Sequence, residues 1–147
     1  MPQPLTTTPA PSPALRPQIL AVDDSKTVRR IAQEALSEFE CDVNEATNGF
    51  NALFTMERSL PDLILLDVNM PVMDGMELLA LLKSKPALHA IPVIMLTSAT
   101  DHAISGQLTT LGANGTVRKP FTAETLVVAI RRVIDLKPIQ PGPPGPG

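Results

Sequence analysis

The sequence predicts an α/β domain in which a five-stranded parallel sheet is doubly wound, with helices on both faces. Two observations lead to this prediction. Short apolar segments alternate five times with longer segments of helical periodicity, and the strongest of the apolar segments are continuous rather than alternating. Continuous apolar strands are typical of parallel sheets that are buried on both faces. A regular alternation of strand and helix is the pattern of doubly wound folds.

Length and composition limit the chain to one such domain. It has 147 residues, of which 44% are hydrophobic and only 3% aromatic, and it contains no Trp or Tyr, so we expect an aliphatic core. The 16 prolines concentrate near the two ends. We therefore expect a folded domain over residues 18–137 between Pro-rich disordered tails at 1–17 and 138–147.

Charge and residue usage exclude several classes of function. A net charge of −3 without a basic run argues against binding to nucleic acid. A single cysteine cannot form an internal disulfide or a zinc cluster, and the two histidines are not at metal-ligand spacing. No apolar stretch approaches the ~20 residues that a membrane span needs, and the N-terminus lacks the features of a secretion signal. We expect a soluble, cytoplasmic protein without membrane insertion.

Five segments are predicted to form the strands. The first ends abruptly in Asp23 and Asp24, and the third, which ends in Asp67, is a strong apolar run. The second segment is a weaker strand candidate, and the fifth is short. The predicted strands are residues 19–22, 42–46, 62–67, 92–97 and 115–118.

Each predicted strand is followed by a segment with helical spacing of its apolar residues. Ser25 and Asp74 are suitable N-caps for the first and third helices. Gly112 is well placed to end the fourth helix. The predicted helices are marked by apolar or periodic residues over 28–39, 50–59, 77–85, 104–111 and 126–134.

Five polar residues follow the predicted strands at one edge of the sheet. Asp23 and Asp24 come directly after the first strand, Asp67 ends the third, Thr97 ends the fourth and Lys119 follows the fifth. In doubly wound sheets, ligands bind beyond the carboxyl ends of the strands. The sequence therefore predicts a site made of three carboxylates, a hydroxyl and an ammonium group.

These residue types predict phosphoryl chemistry. Two carboxylates about 4 Å apart repel by roughly 4 kcal/mol at an effective dielectric constant of about 20, so three of them require a cation. Oxygen ligands at a partly open, hydrated site favour Mg²⁺. A carboxylate beside the metal can attack a phosphoryl group and form an aspartyl phosphate. Lys119 can neutralise the incoming oxygens, and Thr97 can donate a hydrogen bond to one of them.

Four motifs stand at the ends of these strands: VDDS at 22–25, LDVNMPVMDG at 66–75, TS at 97–98 and KPF at 119–121. In combination they resemble the receiver domains of response regulators, and most closely the single-domain chemotaxis regulators of the CheY type. The resemblance covers nearly all of residues 18–137. It implies a flavodoxin-like fold with strand order 2-1-3-4-5.

The resemblance also implies the acceptor and the metal ligands. Asp67 would accept a phosphoryl group from a histidine kinase. Mg²⁺ would be bound by Asp24, by Asp67 and by the backbone carbonyl of Asn69. Asp23 would support the metal through a water molecule.

The remaining implied roles concern the signal. Thr97 and Lys119 would contact the phosphoryl oxygens and carry the signal outward, and the peptide bond between Lys119 and Pro120 is expected to be cis. The protein would not be an enzyme beyond its own phosphorylation and autodephosphorylation. Its output would be phosphorylation-dependent binding to a protein target, such as a flagellar motor component or another signalling protein, in chemotaxis.

Three positions bear on how such a switch would behave. Thr116 stands where the family often has Tyr or Phe, so the aromatic arm of the usual switch is absent. Asn69 and Ala99, each two residues past Asp67 and Thr97, hold the positions that tune hydrolysis of the aspartyl phosphate in this family. Asn69 can orient a water molecule and Ala99 cannot. We therefore expect intermediate autodephosphorylation.

Three alternatives remain open at this point. The protein could be a phosphate sink for a shared kinase, a role that the loss of the aromatic at Thr116 favours. A phosphohydrolase of the haloacid-dehalogenase type would need a second Asp where Asn69 stands. A constitutive scaffold would not need the complete set of site residues that the sequence retains.

Overall fold

The computed structural model describes residues 16–139 and contains one five-stranded parallel sheet. The strands lie in the order β2-β1-β3-β4-β5. They are β1 (Gln18–Val22), β2 (Asp42–Ala46), β3 (Leu63–Asp67), β4 (Val93–Thr97) and β5 (Gly115–Arg118). The predicted fold class and strand order are therefore confirmed. The chain places β2 on one side of β1 and then adds β3, β4 and β5 on the other side. The topological switch point therefore lies between the neighbours β1 and β3.

Five α-helices connect and flank the strands: α1 (Lys26–Leu36), α2 (Gly49–Arg58), α3 (Gly75–Ser84), α4 (Ser105–Thr110) and α5 (Ala123–Arg131). The fourth helical segment differs from its prediction, because a 3₁₀ helix, Ala99–Ile104, precedes α4. The last helix is shorter than its apolar periodicity suggested. Val133 and Ile134 lie beyond its end, where their N–H groups donate to Ile130 O at 2.9 and 3.0 Å.

The predicted helix caps are confirmed. Ser25 accepts a hydrogen bond from the N–H of Val28 and so caps the N-terminus of α1. Asp74 accepts from Glu77 N at 2.8 Å, and Glu77 Oε1 accepts from Asp74 N at 3.1 Å, which makes a reciprocal capping box at α3. Gly112 follows α4 with a φ of +110°, a conformation in which glycine ends helices without strain.

The hydrophobic core lies on both faces of the sheet, as continuous apolar strands require. Every residue of β3 and β4 is buried. Helices α2, α3 and α4 cover one face, and α1 and α5 cover the other. The buried core is aliphatic, since none of the four phenylalanines belongs to it. The sheet is therefore buried between two layers of helices.

The predicted tails lie outside the described residues except for 16–17 and 138–139. These four residues contact the domain: Pro17 O accepts from Asp42 N at 3.0 Å, and Ile139 N donates to Glu38 O at 2.9 Å. The domain limits at 18 and 137 stay predictions. Among the described residues, no helix is both long enough and apolar enough to cross a membrane.

Gly75 brings the start of α3 against the end of β3. Its N–H donates to Val68 O at 2.8 Å. A Cβ at this position would overlap the backbone carbonyl oxygen of Asp67 and lie 2.8 Å from Val68 Cα. Because these neighbours are backbone atoms, no side-chain movement could relieve the overlap. Glycine is therefore required for the close approach that shapes the loop after Asp67.

We expect Gly75→Ala to lower the free energy of unfolding by about 1–3 kcal/mol, the usual cost of overpacking. The matched control is Gly106→Ala in α4, where a Cβ would meet nothing within 4 Å. That change should stabilise the protein by about 0.5–1 kcal/mol, because alanine loses less entropy than glycine in a helix. Urea denaturation followed by circular dichroism measures both. Equal effects at the two positions would contradict the close approach at Gly75.

Candidate functional site

Three carboxylates converge at the carboxyl ends of β1 and β3. Asp23 and Asp24 follow β1, and Asp67 is the last residue of β3. One oxygen from each lies within 4.8 Å of the other two. Asp23 and Asp67 are buried, whereas Asp24 is exposed. The cluster therefore has a closed side and an open side, and Asp24 lies on the open side.

The ammonium group of Lys119 contacts both buried carboxylates. Its Nζ lies 2.8 Å from Asp23 Oδ2 and 3.0 Å from Asp67 Oδ1. The backbone N–H of Lys119 donates to Thr97 O at 2.6 Å, so the end of β5 is fixed to the end of β4. Burial alone would lower the pKa of Lys119, but its interactions with the two carboxylates raise it above its usual value. Lys119 is therefore a fixed positive charge in the site.

The peptide bond between Lys119 and Pro120 is cis, as predicted from the sequence. Thr97 is 8% exposed and ends β4, which pairs with β3 in a register that places Asp67 opposite Leu96. Thr97 thus stands one position beyond Asp67 on the neighbouring strand. The five residues predicted to converge all lie at this edge of the sheet.

Asp67 is held through one of its two oxygens. Oδ1 accepts hydrogen bonds from Lys119 Nζ at 3.0 Å and from the backbone N–H of Asn69 at 3.2 Å. Burial raises the pKa of Asp67 to about 6; the charge of Asp23 adds to this increase, and Lys119 opposes it. The carboxyl group is therefore mostly ionised at neutral pH, and its pKa lies only about one unit below neutral pH.

The donor set fits a divalent cation. One ammonium faces three carboxylates, so negative charge remains in excess. Asp23 Oδ2 is buried, and among the described residues it has an ion pair with Lys119 Nζ at 2.8 Å but no partner that meets hydrogen-bond geometry. A buried oxygen without a hydrogen bond is costly. Carboxylate and carbonyl oxygens at a partly open site suit Mg²⁺ better than softer metals.

Asn69 and Asp101 form a contact that the sequence did not indicate. The side-chain Nδ2 of Asn69 lies 3.0 Å from Asp101 Oδ1 and 2.9 Å from Oδ2. Asp101 is buried in the 3₁₀ helix and also accepts from Ser98 N at 2.7 Å and Ser98 Oγ at 3.0 Å. Burial raises the pKa of Asp101, but the hydrogen bonds from Ser98 and Asn69 outweigh it, so the pKa is lowered.

A partial signal for Asp101 was present in the sequence. The pattern Ser98-x-x-Asp101 after a strand is that of a capping box, which would have predicted the bonds with Ser98. It would not have predicted Asn69 as a partner, since the two residues are 32 positions apart. The other two positions singled out for switching, Ala99 and Thr116, are both exposed.

A comparison with known protein families identifies the chain. The model of the response regulator receiver domain matches residues 19–131. The chain belongs to this receiver family. It is 37% identical over 114 residues to protein PilG of Pseudomonas aeruginosa, a match that covers 78% of this chain and 84% of that protein.

Two further relatives are chemotaxis proteins of Vibrio cholerae. The receiver is 33% identical over 119 residues to CheY-3, covering 80% of this chain and 92% of that protein. The crystal structure of CheY4 superposes with a TM-score of 0.75 at 34% identity and covers 81% of this chain and 99% of that one. The predicted resemblance to single-domain receivers of the CheY type is therefore confirmed.

The raised pKa of Asp67 predicts how the stability of the metal-free receiver depends on pH. The native state favours the protonated carboxyl, because its pKa is about 6 against an ordinary value of 3.8. The resulting stability is complete below the ordinary value and is lost as the pH rises through about 6. We expect Asp67→Asn to remove this loss. The difference in unfolding free energy between the variant and the wild type should grow from pH 5 to pH 7.

Urea denaturation in EDTA at pH 5, 6 and 7 measures this difference. The control is Asp42→Asn, whose carboxyl has a pKa lowered by hydrogen bonds from Gln18 and Arg16. The contribution of Asp42 is lost only below its ordinary pKa, so the control should show no trend over this range. A constant difference for Asp67→Asn would show that burial does not perturb this carboxyl.

Proposed function

We propose that this receiver accepts a phosphoryl group from a histidine kinase on Asp67 and signals in the cytoplasm by phosphorylation-dependent protein binding. The observation that carries the proposal is the contact of Lys119 with both Asp67 and Asp23 beside a third carboxylate. This arrangement supplies an acceptor, a cation for the incoming charge and a ligand set for a metal. Membership of the receiver family supports the same function.

The two oxygens of Asp67 differ in their hydrogen bonds. Oδ1 is fixed by Lys119 and by the backbone of Asn69, whereas Oδ2 makes no hydrogen bond to a described residue. We assign the attack on phosphorus to the ionised carboxylate. A bond forms between a carboxylate oxygen and phosphorus as the bond between phosphorus and the kinase imidazole nitrogen breaks. Lys119 neutralises the phosphoryl oxygens, and the Thr97 hydroxyl donates to one of them.

The metal ligands in this proposal are Asp24, Asp67 and the backbone carbonyl of Asn69, with Asp23 acting through water. When bound, Mg²⁺ would supply the positive charge that Lys119 alone does not provide for the transferred group. Asp24 is the exposed member of the cluster and therefore the ligand that solvent reaches first. Asp23 is fully buried, which suits a supporting role.

The structure gives no support to a phosphohydrolase of the haloacid-dehalogenase type. Such an enzyme needs a carboxyl group two residues past the nucleophile to move a proton. Asn69 occupies that position, and its amide donates to Asp101. A carboxamide cannot act as a general acid or base at neutral pH. The protein is therefore proposed to be the acceptor in a relay, not a catalyst with turnover.

We expect incubation with acetyl phosphate and Mg²⁺ to add a single phosphoryl group, visible as one adduct by intact-mass spectrometry. Asp67→Asn should abolish the adduct, because the acceptor oxygen is lost. EDTA should abolish it as well, and Asp24→Asn should raise the Mg²⁺ concentration needed for half-maximal adduct. Mass is the suitable readout, since the chain has no Trp to report binding by fluorescence.

The control for these variants is Asp135→Asn, an exposed carboxylate beyond α5. It should give the same adduct and the same Mg²⁺ requirement as the wild type. An adduct that persists in Asp67→Asn would overturn the assignment of the acceptor. Failure of the wild type to form any adduct would favour the scaffold alternative.

The output is proposed to be in chemotaxis, through a protein target such as a flagellar motor component. The chemotaxis proteins CheY-3 and CheY4 among its relatives support this assignment. The competing candidate is a phosphate sink, and Thr116 is the observation that favours it. Thr116 is exposed and lines an open groove of about 320 Å³ between β5 and α5, together with Arg118, Val128 and Arg132. None of the described residues that line this groove is aromatic.

We assign the output of a binding switch to the β5–α5 groove, which must then respond when Asp67 is phosphorylated. We expect amide chemical shifts of Thr116 and Val128 to change on phosphorylation in ¹H–¹⁵N spectra, beside the changes within the site. Asp67→Asn treated with the same phosphodonor is the control, and its spectrum should not change. Shifts confined to the loops around Asp67 would support the sink instead.

A further inference from the structure

The loop after β3 and the 3₁₀ helix after β4 are joined by one side-chain contact at the rim of the site. Asn69 Nδ2 donates to the Asp101 carboxylate at 2.9 and 3.0 Å. Asp101 is only 5% exposed, and Ser98 binds it through both its N–H and its hydroxyl. Asn69 itself is exposed. The buried partner is therefore the fixed one, and it determines the position of the exposed one.

The chemistry of the contact also determines which way the amide faces. An ionised carboxylate can only accept hydrogen bonds, so the NH₂ group of Asn69 must face Asp101. The carbonyl oxygen Oδ1 of Asn69 takes no part in this contact, and it makes no hydrogen bond to a described residue. One N–H of the amide points at the two carboxylate oxygens, and the contact thus directs the acceptor Oδ1 of Asn69 away from Asp101.

Asn69 is attached to the acceptor residue as well. Its backbone N–H donates to Asp67 Oδ1 at 3.2 Å, while its side chain is held by Asp101. The residue is therefore fixed at both ends, two positions past Asp67. Small displacements of a positioned group change reaction rates considerably. A residue that holds Asn69 in one orientation can therefore affect what happens to a group on Asp67.

We propose that Asp101 positions Asn69, so that Asn69 Oδ1 accepts a hydrogen bond from the water molecule that hydrolyses phosphorylated Asp67. This inference rests on the proposed function. In the hydrolysis, the water oxygen bonds to phosphorus while the bond between phosphorus and the Asp67 oxygen breaks. Asp67 regains its carboxylate, inorganic phosphate leaves, and the proton of the water passes to the phosphate or to solvent. Asp101 touches neither the phosphoryl group nor the water, and acts through Asn69.

Asp101→Asn tests this role because it weakens the contact and keeps the size of the side chain. The new amide keeps its oxygen toward the N–H and hydroxyl of Ser98, in the place of Oδ2, so its NH₂ group takes the place of Oδ1. Asn69 Nδ2 then loses the charge of Asp101 and one of its two acceptors and faces an NH₂ group instead, so the Asn69 amide is no longer held in one orientation. We expect the phosphorylated protein to lose its phosphoryl group about fivefold more slowly, the rate equivalent of one hydrogen bond.

A double-mutant cycle separates positioning from damage to the fold. Asn69→Ala should slow the loss of the phosphoryl group by a similar factor, and Asp101→Asn should add nothing in the Asn69→Ala background. His102→Ala, an exposed neighbour in the same 3₁₀ helix, should leave the rate unchanged. An unchanged rate in Asp101→Asn, or a further decrease in the Asn69→Ala background, would overturn the proposal.

The contact itself can be tested on the unphosphorylated protein. The side-chain NH₂ signals of Asn69, assigned by their loss in Asn69→Ala, should exchange with water more slowly than those of the exposed Asn44. Asp101→Asn should reduce this protection, because one of the two acceptors is lost. Equal exchange at Asn69 and Asn44 in the wild type would overturn the positioning role. If the wild type forms no phosphoryl adduct, the proposed function fails, and the exchange measurement still reports whether Asp101 holds Asn69.

Discussion

The site depends on one interaction, the contact of the Lys119 ammonium with the buried carboxylates of Asp23 and Asp67. These three residues come from the ends of β1, β3 and β5, so the contact joins separate parts of the sheet edge. Burying two carboxylates costs several kcal/mol in real proteins, and a close cation offsets this cost only in part. The residual imbalance is visible in Asp67, whose pKa is raised by burial in spite of Lys119. The same imbalance is what attracts a divalent cation.

The rest of the fold keeps this unfavourable arrangement in place. β3 and β4 are buried throughout, and helices on both faces prevent the ends of the strands from moving apart. At the edge, Gly75 lets α3 begin directly against the backbone of Asp67, and the capping box of Asp74 and Glu77 fixes that start. The aliphatic core therefore stabilises the fold, and this stability offsets the cost of the buried charges at the carboxyl edge of the sheet.

Much of this could be predicted from the sequence, and the reason is geometric. In a parallel sheet all carboxyl ends share one edge, so residues such as Asp67 and Lys119 are brought together by their position after a strand alone. Features that depend on distances between loops could not be predicted in this way. The contact of Asn69 with Asp101 depends on how closely the loop after β3 approaches the 3₁₀ helix after β4, and nothing in their separation of 32 residues indicates this. The 3₁₀ helix before α4, where Asp101 binds back to Ser98, was missed because apolar periodicity does not report side-chain caps.

The two sides of the site differ in how they can respond to a phosphoryl group. On one side, the neutral amide of Asn69 is held by the buried carboxylate of Asp101. This contact contains no cation, so a negatively charged phosphoryl group on Asp67 would attract little there. On the other side, Lys119 is shared between two carboxylates, and a third anionic group competes directly for its ammonium. Displacement is therefore expected on the side of Lys119, whose backbone is bonded to Thr97 O and continues from β5. Because no aromatic residue lines the nearby groove, an aromatic side chain cannot carry this displacement there, and the backbone connection of Lys119 to β5 offers a route instead.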